Sequence, residues 1–175
     1  IFLSDAEQAE RALEGILNFN PSLIDINCGC PVPKIVKTGA GAALMRSPKT
    51  IQHIVSTLTK ATSVPITVKI RSGWDESDKR TSYVEAGHAA AEAGAKAVGL
   101  HARTKSQGYS GTARWEHIAH LSETLDVPVI GSGDLFSPED VRQMLAETGC
   151  DGVMCARGAI GNPSIFSRSR TLLEA

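Results

Sequence analysis

Short apolar runs that each stop at a polar or charged residue, separated by stretches of helical periodicity, constrain this chain more than any other feature. Leu23 to Ile26 reads as one such run and ends in the corner Asn27-Cys28-Gly29-Cys30-Pro31. Glycine and proline punctuate local structure, so the corner sets Asn27 and Cys30 at the C-terminal end of a buried strand. Val64 to Ile70 repeats the pattern with Lys69 and Arg71, and Ala97 to Leu100 repeats it with His101. Val127 to Ile130 runs into Gly131-Ser132-Gly133-Asp134, and Gly152 to Cys155 into Ala156-Arg157-Gly158-Ala159. Phe2-Leu3 reads as the remnant of one more strand at the front.

Helical signals fill the intervals. Ser4-Asp5-Ala6-Glu7 reads as a capping box with Ser4 as N-cap, followed by Ala6, Ala9, Leu13, Ile16 and Leu17 at helical spacing. After the small-residue stretch Gly39 to Met45, Ser47-Pro48 opens a helix with the stripe Ile51, Ile54, Val55 and Leu58. Ser72 to Arg80 reads as a loop, and an Ala-rich helix runs from Thr81 to Gly94. Beyond the loop Ala102 to Gly111, a helix carries Trp115, Ile118 and Leu121. Ser137-Pro138-Glu139 starts another that Gly149 closes, and Asn162-Pro163 is expected to cap the last.

About six β/α units at this spacing predict parallel crossovers in an α/β fold. Near-continuous apolar strands fit a sheet buried on both faces. An open doubly wound sheet concentrates its polar groups at one switch point, whereas here every strand ends in one. That favours a (β/α)8 TIM barrel. Such a barrel takes roughly 200–250 residues or more, so a chain of 175 residues is expected to lack about two units. Because it opens Ile1-Phe2-Leu3 without Met, the gap is placed at the N-terminus.

Composition narrows the class without naming a function. Hydrophobic residues at 42% and charged residues at 21% suit one soluble domain with a sizeable core. No apolar run approaches the roughly 18 residues a membrane span requires, and no signal-peptide pattern is present. The four cysteines lie in or beside strands rather than in a loop framework, which predicts free thiols in a reducing, cytoplasmic compartment. A formal charge of −1 neither requires nor excludes a nucleic-acid partner.

In a barrel, Asn27, Cys30, Lys69, Arg71, His101, Arg103, Asp134 and Arg157 converge on the C-terminal face, where barrel enzymes keep their sites. Each also has a plain structural reading. Asn27 can cap a turn, Cys28 can be a small core residue, and His101 can be a satisfied core histidine. Cys28 and Cys30 lack a second cysteine pair in sequence, so no metal is expected. Lys69 sits inside the apolar strand Pro65 to Ile70, and a buried ammonium requires an anion, an electron-rich ligand, or a salt bridge such as one to Asp25. The glycines of the last two strand ends either make tight turns or bring backbone N–H groups to a phosphate, with Arg157 as a charged donor. These readings reach a barrel holding a phosphorylated ligand beneath a cation, an imidazole and a thiol, and leave the ligand unnamed.

The same residues resemble a known family. Asn27-Cys28-Gly29-Cys30-Pro31 is similar to the N-x-G-C-P motif of tRNA-dihydrouridine synthases, and Val68-Lys69-Ile70-Arg71-Ser72-Gly73-Trp74 to their lysine strand. Leu100 to Tyr109 resembles their histidine strand and loop, while Gly131 to Asp134 and Ala156 to Pro163 resemble the two phosphate-side motifs, with the flavour of the bacterial B-type branch. The resemblance implies an FMN-dependent enzyme that reduces a tRNA uridine to 5,6-dihydrouridine with NADPH as reductant. It makes Cys30 the acid that protonates uracil C5 and puts Asn27 near base and flavin. Lys69 and His101 then contact the flavin ring, and Ser132, Gly133, Asp134, Ala156 and Arg157 hold its phosphate. Arg103, Lys34 and Lys37 become candidates for tRNA contact. The chain departs from the family at Ser132, where Asn is usual, and at Ala156, where Gly is usual. Relative to the family, a front strand and a C-terminal helical tRNA-binding domain are expected to be absent from residues 1–175, leaving a fragment that is inactive alone. Two other readings stay open: another FMN barrel oxidoreductase acting on a small molecule, and a phosphate-binding barrel without redox chemistry.

Overall fold

A computed structural model of the chain describes residues 1–75, 77 and 82–175. Five strands, β1 (Ile24–Asn27), β2 (Ile66–Gly73), β3 (Val98–Thr104), β4 (Val129–Ser132) and β5 (Gly152–Met154), pair in parallel in the order of the sequence. The register sets Asn27 beside Lys69, Arg71 beside His101, and His101 beside Ser132. The polar strand ends therefore lie side by side along one edge of the sheet. No reversal of strand order occurs, so the topology lacks the switch point of a doubly wound sheet. β1 and β5 form the two outer edges.

Helices α1 (Ala6–Leu17), α3 (Pro48–Ala61), α4 (Tyr83–Glu92), α5 (Trp115–Thr124), α6 (Pro138–Thr148) and α7 (Ile165–Glu174) pack each on the next. Between β1 and α3 lie a short helix, α2 (Pro33–Val36), and a 3₁₀ turn (Gly41–Arg46), both within stretches where no element was expected. The stripe Ile51, Ile54, Val55 and Leu58 is buried as its spacing requires.

Strand alternation accounts for the two faces. In β1, Ile24 and Ile26 are buried while Asp25 and Asn27 are half-buried, and β2 begins with the same alternation through Lys69. The expectation of burial on both faces holds along β3 and the second half of β2, while β1 and the start of β2 alternate. In β1, β2 and β3 the apolar residues pack under the helices and the polar ones point to the concave side, which Met154 of β5 also lines. Gly131 marks the packed side, since a Cβ there would meet Met144 Sδ at 2.7 Å and Cys150 Sγ at 3.1 Å.

Other local expectations shift by small amounts with identifiable causes. Phe2-Leu3 is not a strand, so the strands number five rather than six among the described residues. The preceding residue does add to the ladder, because Asn27 N–H donates to Ile1 O at 2.9 Å and the Ile1 amino group to Asp25 O at 2.6 Å. The first helix is capped by Asp5, whose carboxylate accepts from Gln8 N–H at 2.7 Å, while Gln8 reaches back to the Ser4 N–H. A carboxylate suits the positive end of the helix better than the hydroxyl of Ser4. β2 and β3 each run past their expected ends, because Lys105 N–H still donates to Gly73 O at 2.9 Å. Ser82 caps α4, and the expected helix start at Thr81 and loop residues 76 and 78–80 lie outside the described residues. Asn162 does not cap α7; its side chain donates to Gly158 O at 3.2 Å.

Candidate active site at the C-terminal ends of the strands

The strand ends enclose a cavity of about 320 Å³ lined by Asn27, Cys30, Lys69, Arg71, His101, Ser132, Gly133, Asp134, Ala156 and Arg157, together with Tyr109, Phe136 and Met154. Its size lies at the lower end of ligand pockets. Every residue expected to touch flavin or to act as catalyst lines this one cavity.

The turn after β1 is built around Asn27. Its side-chain oxygen accepts the N–H groups of Gly29 at 3.1 Å and Cys30 at 2.9 Å, closing a tight corner that lifts the thiol to half-exposure. From the other side, Ala42 N–H donates to Cys30 O at 3.0 Å. Gly41, at φ +63°, approaches so closely that a Cβ would stand 2.8 Å from that same carbonyl oxygen. Cys28, the neighbouring thiol, is fully buried, and burial together with Asp25 pushes its pKa up, so it acts as core.

Lys69 projects from β2 with its stem against Gly99, where a Cβ would meet Lys69 Cγ at 3.3 Å. Burial first, and then Arg71, lower the pKa of its ammonium, with Asp25 acting in the opposite direction. Asp25 does not bind it: its Oδ1 accepts from Thr67 Oγ1 at 2.8 Å. Among the described residues Lys69 has no hydrogen-bond or ion-pair partner. His101 is 8% exposed, and burial followed by the fields of Arg71, Lys69, Arg103 and Arg157 pushes its pKa down to about 3. It is a neutral imidazole at neutral pH.

Two buried arginines brace the walls. Arg71 donates to Gly29 O at 2.7 Å and to Thr104 O and Gly108 O at 2.9 Å, tying the thiol corner to the loop after β3. Arg103 is 2% exposed and donates to Ser110 O, to Gly111 O at 2.6 Å and to Asp134 Oδ2 at 2.8 Å. The expectation that Arg103 meets tRNA is corrected, because its guanidinium turns inward and closes its own loop. The other two candidates, Lys34 and Lys37, are exposed on and just after α2, outside the cavity.

Asp134 sits at φ +58° and collects three donors: Arg103, the Ala113 N–H at 2.8 Å, and Arg157 Nη2 at 3.2 Å. Burial raises its pKa, but the Ala113 N–H and the two guanidiniums outweigh that and hold it below the usual carboxylate value. Ser132 Oγ donates to Met154 O at 3.1 Å, locking β4 to β5. The glycines here answer first to packing: a Cβ on Gly133 would meet Ala113 Cβ at 2.6 Å, and one on Gly158 would meet Leu135 O at 1.9 Å.

Tyr109 was assigned no role from sequence. Its ring is 59% exposed and stands 4.6 Å from the Arg157 guanidinium and 5.8 Å from that of Arg71. The available signal was an aromatic residue in a loop with glycines at 108 and 111, both at positive φ. Among the described residues, no three His, Cys, Asp or Glu side chains gather as metal ligands, and no helix is long and apolar enough to cross a membrane.

Sequential parallel strands, helices packed in succession, and a polar cavity at the strand C-termini make an α/β fold consistent with part of a TIM barrel. The chain belongs to the dihydrouridine synthase (Dus) family, whose model matches residues 1–175. It is 50% identical over 177 aligned positions to a probable tRNA-dihydrouridine synthase of Treponema pallidum, covering 96% of this chain and 52% of that protein. It is 49% identical to probable tRNA-dihydrouridine synthase 1 of Synechocystis (90% and 43% covered) and 40% identical to tRNA-dihydrouridine synthase B of Xanthomonas campestris (93% and 48% covered). The chain thus spans about half the length of these curated relatives. The fold is also similar to the crystal structure of an Amycolatopsis orientalis BexX/CysO complex, with TM-score 0.61 at 17% identity over 97% of this chain and 61% of that one.

Proposed function

We propose that this chain forms the flavin-holding part of an FMN-dependent tRNA-dihydrouridine synthase, which reduces a uridine of tRNA to 5,6-dihydrouridine with NADPH as reductant. The observation that carries the reading is the shared cavity: the Cys30 thiol, on its Asn27-braced corner, opens into the same space as Lys69 and His101.

The residues fit a phosphorylated flavin. A half-buried ammonium without a partner among the described residues is matched by an electron-rich ring that becomes anionic on reduction. His101, held neutral, offers a hydrogen bond without adding a second full charge beside Lys69. Arg157 and the backbone N–H groups from Ala156 to Gly158, with Ser132 and Gly133, are the donors for a phosphate. Asp134 is a carboxylate and would repel that phosphate directly, so its part is to hold Arg157 at 3.2 Å.

The hydride for uracil C6 would come from FMN when it is bound. Cys30 holds the proton that goes to C5, the part of a general acid. Asn27 fixes the thiol's position through the backbone of its turn. Lys34 and Lys37 reach outward toward tRNA. In this reading residues 1–175 are part of the catalytic barrel of a cytoplasmic enzyme, the family's helical tRNA-binding domain lies outside them, and the stretch alone reduces uridine poorly.

The test is the dihydrouridine content of tRNA from a strain lacking the gene. Loss of one dihydrouridine position, restored by the wild-type gene, is expected; unchanged content overturns the reading. Absence of flavin absorption at roughly 370 and 450 nm in the purified whole protein would favour a non-redox barrel instead.

A further inference from the structure

Outside the cavity, the C-terminal rim carries two cations on one indole. Trp74 directly follows β2, and Lys105 directly follows β3. Their backbones are joined, with Lys105 N–H donating to Gly73 O and Ser106 N–H to Trp74 O at 3.0 Å. The Lys105 ammonium stands 4.6 Å from the Trp74 ring centroid and the Arg46 guanidinium 4.1 Å from it. Arg46 is exposed and ends the 3₁₀ turn whose other end hydrogen-bonds Cys30. Neither cation is in an ion pair among the described residues, and Asp75 is the carboxylate whose field meets Lys105.

Like charges repel, and Asp75 answers only Lys105, so two cations gathered on one ring favour a further anion beside them. The indole face attracts each one and fixes its long side chain, which lowers the entropy lost when the head group is engaged. α2, with exposed Lys34 and Lys37 at its end, packs against the same 3₁₀ turn and extends the positive rim toward the thiol corner. A row of cations along one rim fits a polyanion with repeating charges better than a single small anion.

We infer that the Arg46–Trp74–Lys105 cluster is a docking surface for RNA phosphodiester groups, positioning the strand that delivers a uridine to the cavity. This rests on the proposed function for the identity of the polyanion, and it assigns to the rim the backbone contact that buried Arg103 does not make.

The experiment measures binding of unmodified tRNA to the whole flavin-loaded protein across a salt series, for wild type, Arg46→Gln with Lys105→Gln, Trp74→Leu, and Lys60→Gln as a control at the far end of α3. The double variant is expected to bind about 10-fold more weakly and to lose about 1.5 from the magnitude of the log K against log salt slope, as two phosphate contacts predict. Trp74→Leu is expected to weaken binding in the same direction, and Lys60→Gln to leave both binding and turnover at saturating tRNA unchanged. Unchanged affinity and slope in the double variant, with its flavin spectrum intact, overturn the inference even if the wild type reduces uridine. Charge-dependent RNA binding at this cluster in a protein that does not reduce uridine sustains the inference and overturns the function. A wild type that does not bind tRNA overturns both.

Discussion

Arg103 donates to Asp134 at 2.8 Å, and this contact fastens the loop after β3 to the turn after β4. Arg103 is buried, so removing its carboxylate leaves a guanidinium with only uncharged partners, two carbonyls and the His101 ring at 3.5 Å. Asp134→Asn keeps the left-handed backbone, which Asn also tolerates, while deleting the charge. It is expected to lower stability by about 3 kcal/mol, read as a reduced urea midpoint at unchanged slope, and to weaken flavin retention through the released Arg157.

Lys69 separates stability from ligand binding. Replacing an unpaired, half-buried ammonium with an apolar side chain of similar length removes a desolvation cost, so Lys69→Met is expected to raise the melting temperature of the flavin-free protein. The same change is expected to strip flavin from the purified enzyme. Thermal scans with and without added FMN measure both, and the stabilisation by ligand seen in the wild type is expected to vanish in the variant.

His101 predicts an acid-side loss of stability. Its folded-state pKa is about 3, below the roughly 6.5 of an unfolded histidine. As pH falls through that interval the unfolded chain takes up a proton that the folded chain refuses. The stability is therefore complete above about pH 6.5 and declines toward pH 3, by up to about 1.4 kcal/mol per pH unit. His101→Gln is expected to flatten the slope between about pH 6 and 4.5, above the range where Asp134 titrates. Urea midpoints across that range are the measurement.

Cys30→Ala is expected to leave the flavin spectrum intact and to slow uridine reduction by roughly 10²–10⁴-fold, the usual effect of a general acid. Reduction of the flavin by NADPH, followed by stopped-flow absorbance, should stay at the wild-type rate. Loss of flavin from this variant would instead make Cys30 a binding residue.

The β/α alternation was legible because strand and helix periodicities are local, and so was the convergence of Asn27, Cys30, Lys69 and His101, which follows once parallel strands are aligned. What the sequence does not carry is the destination of a long side chain. Arg103 and Arg157 look alike on paper, yet one turns inward to Ser110 and Gly111 while the other stays 37% exposed at the mouth. The reason Gly158 is glycine was equally hidden, since the atom it must avoid, Leu135 O, lies 23 positions earlier in the chain. For Asn27 the turn-capping reading holds, and the turn it closes is what carries the thiol.

The alternation of side chains along β1 and β2 has an evolutionary corollary. Ile24, Ile26, Val68 and Ile70 answer to the helices, and Asn27, Lys69 and Arg71 to the cavity, with scarcely an atom shared between the two groups. A lineage could therefore retool the chemistry by changing every second residue while its scaffold drifted independently, two inheritances written in one strand on odd and even lines.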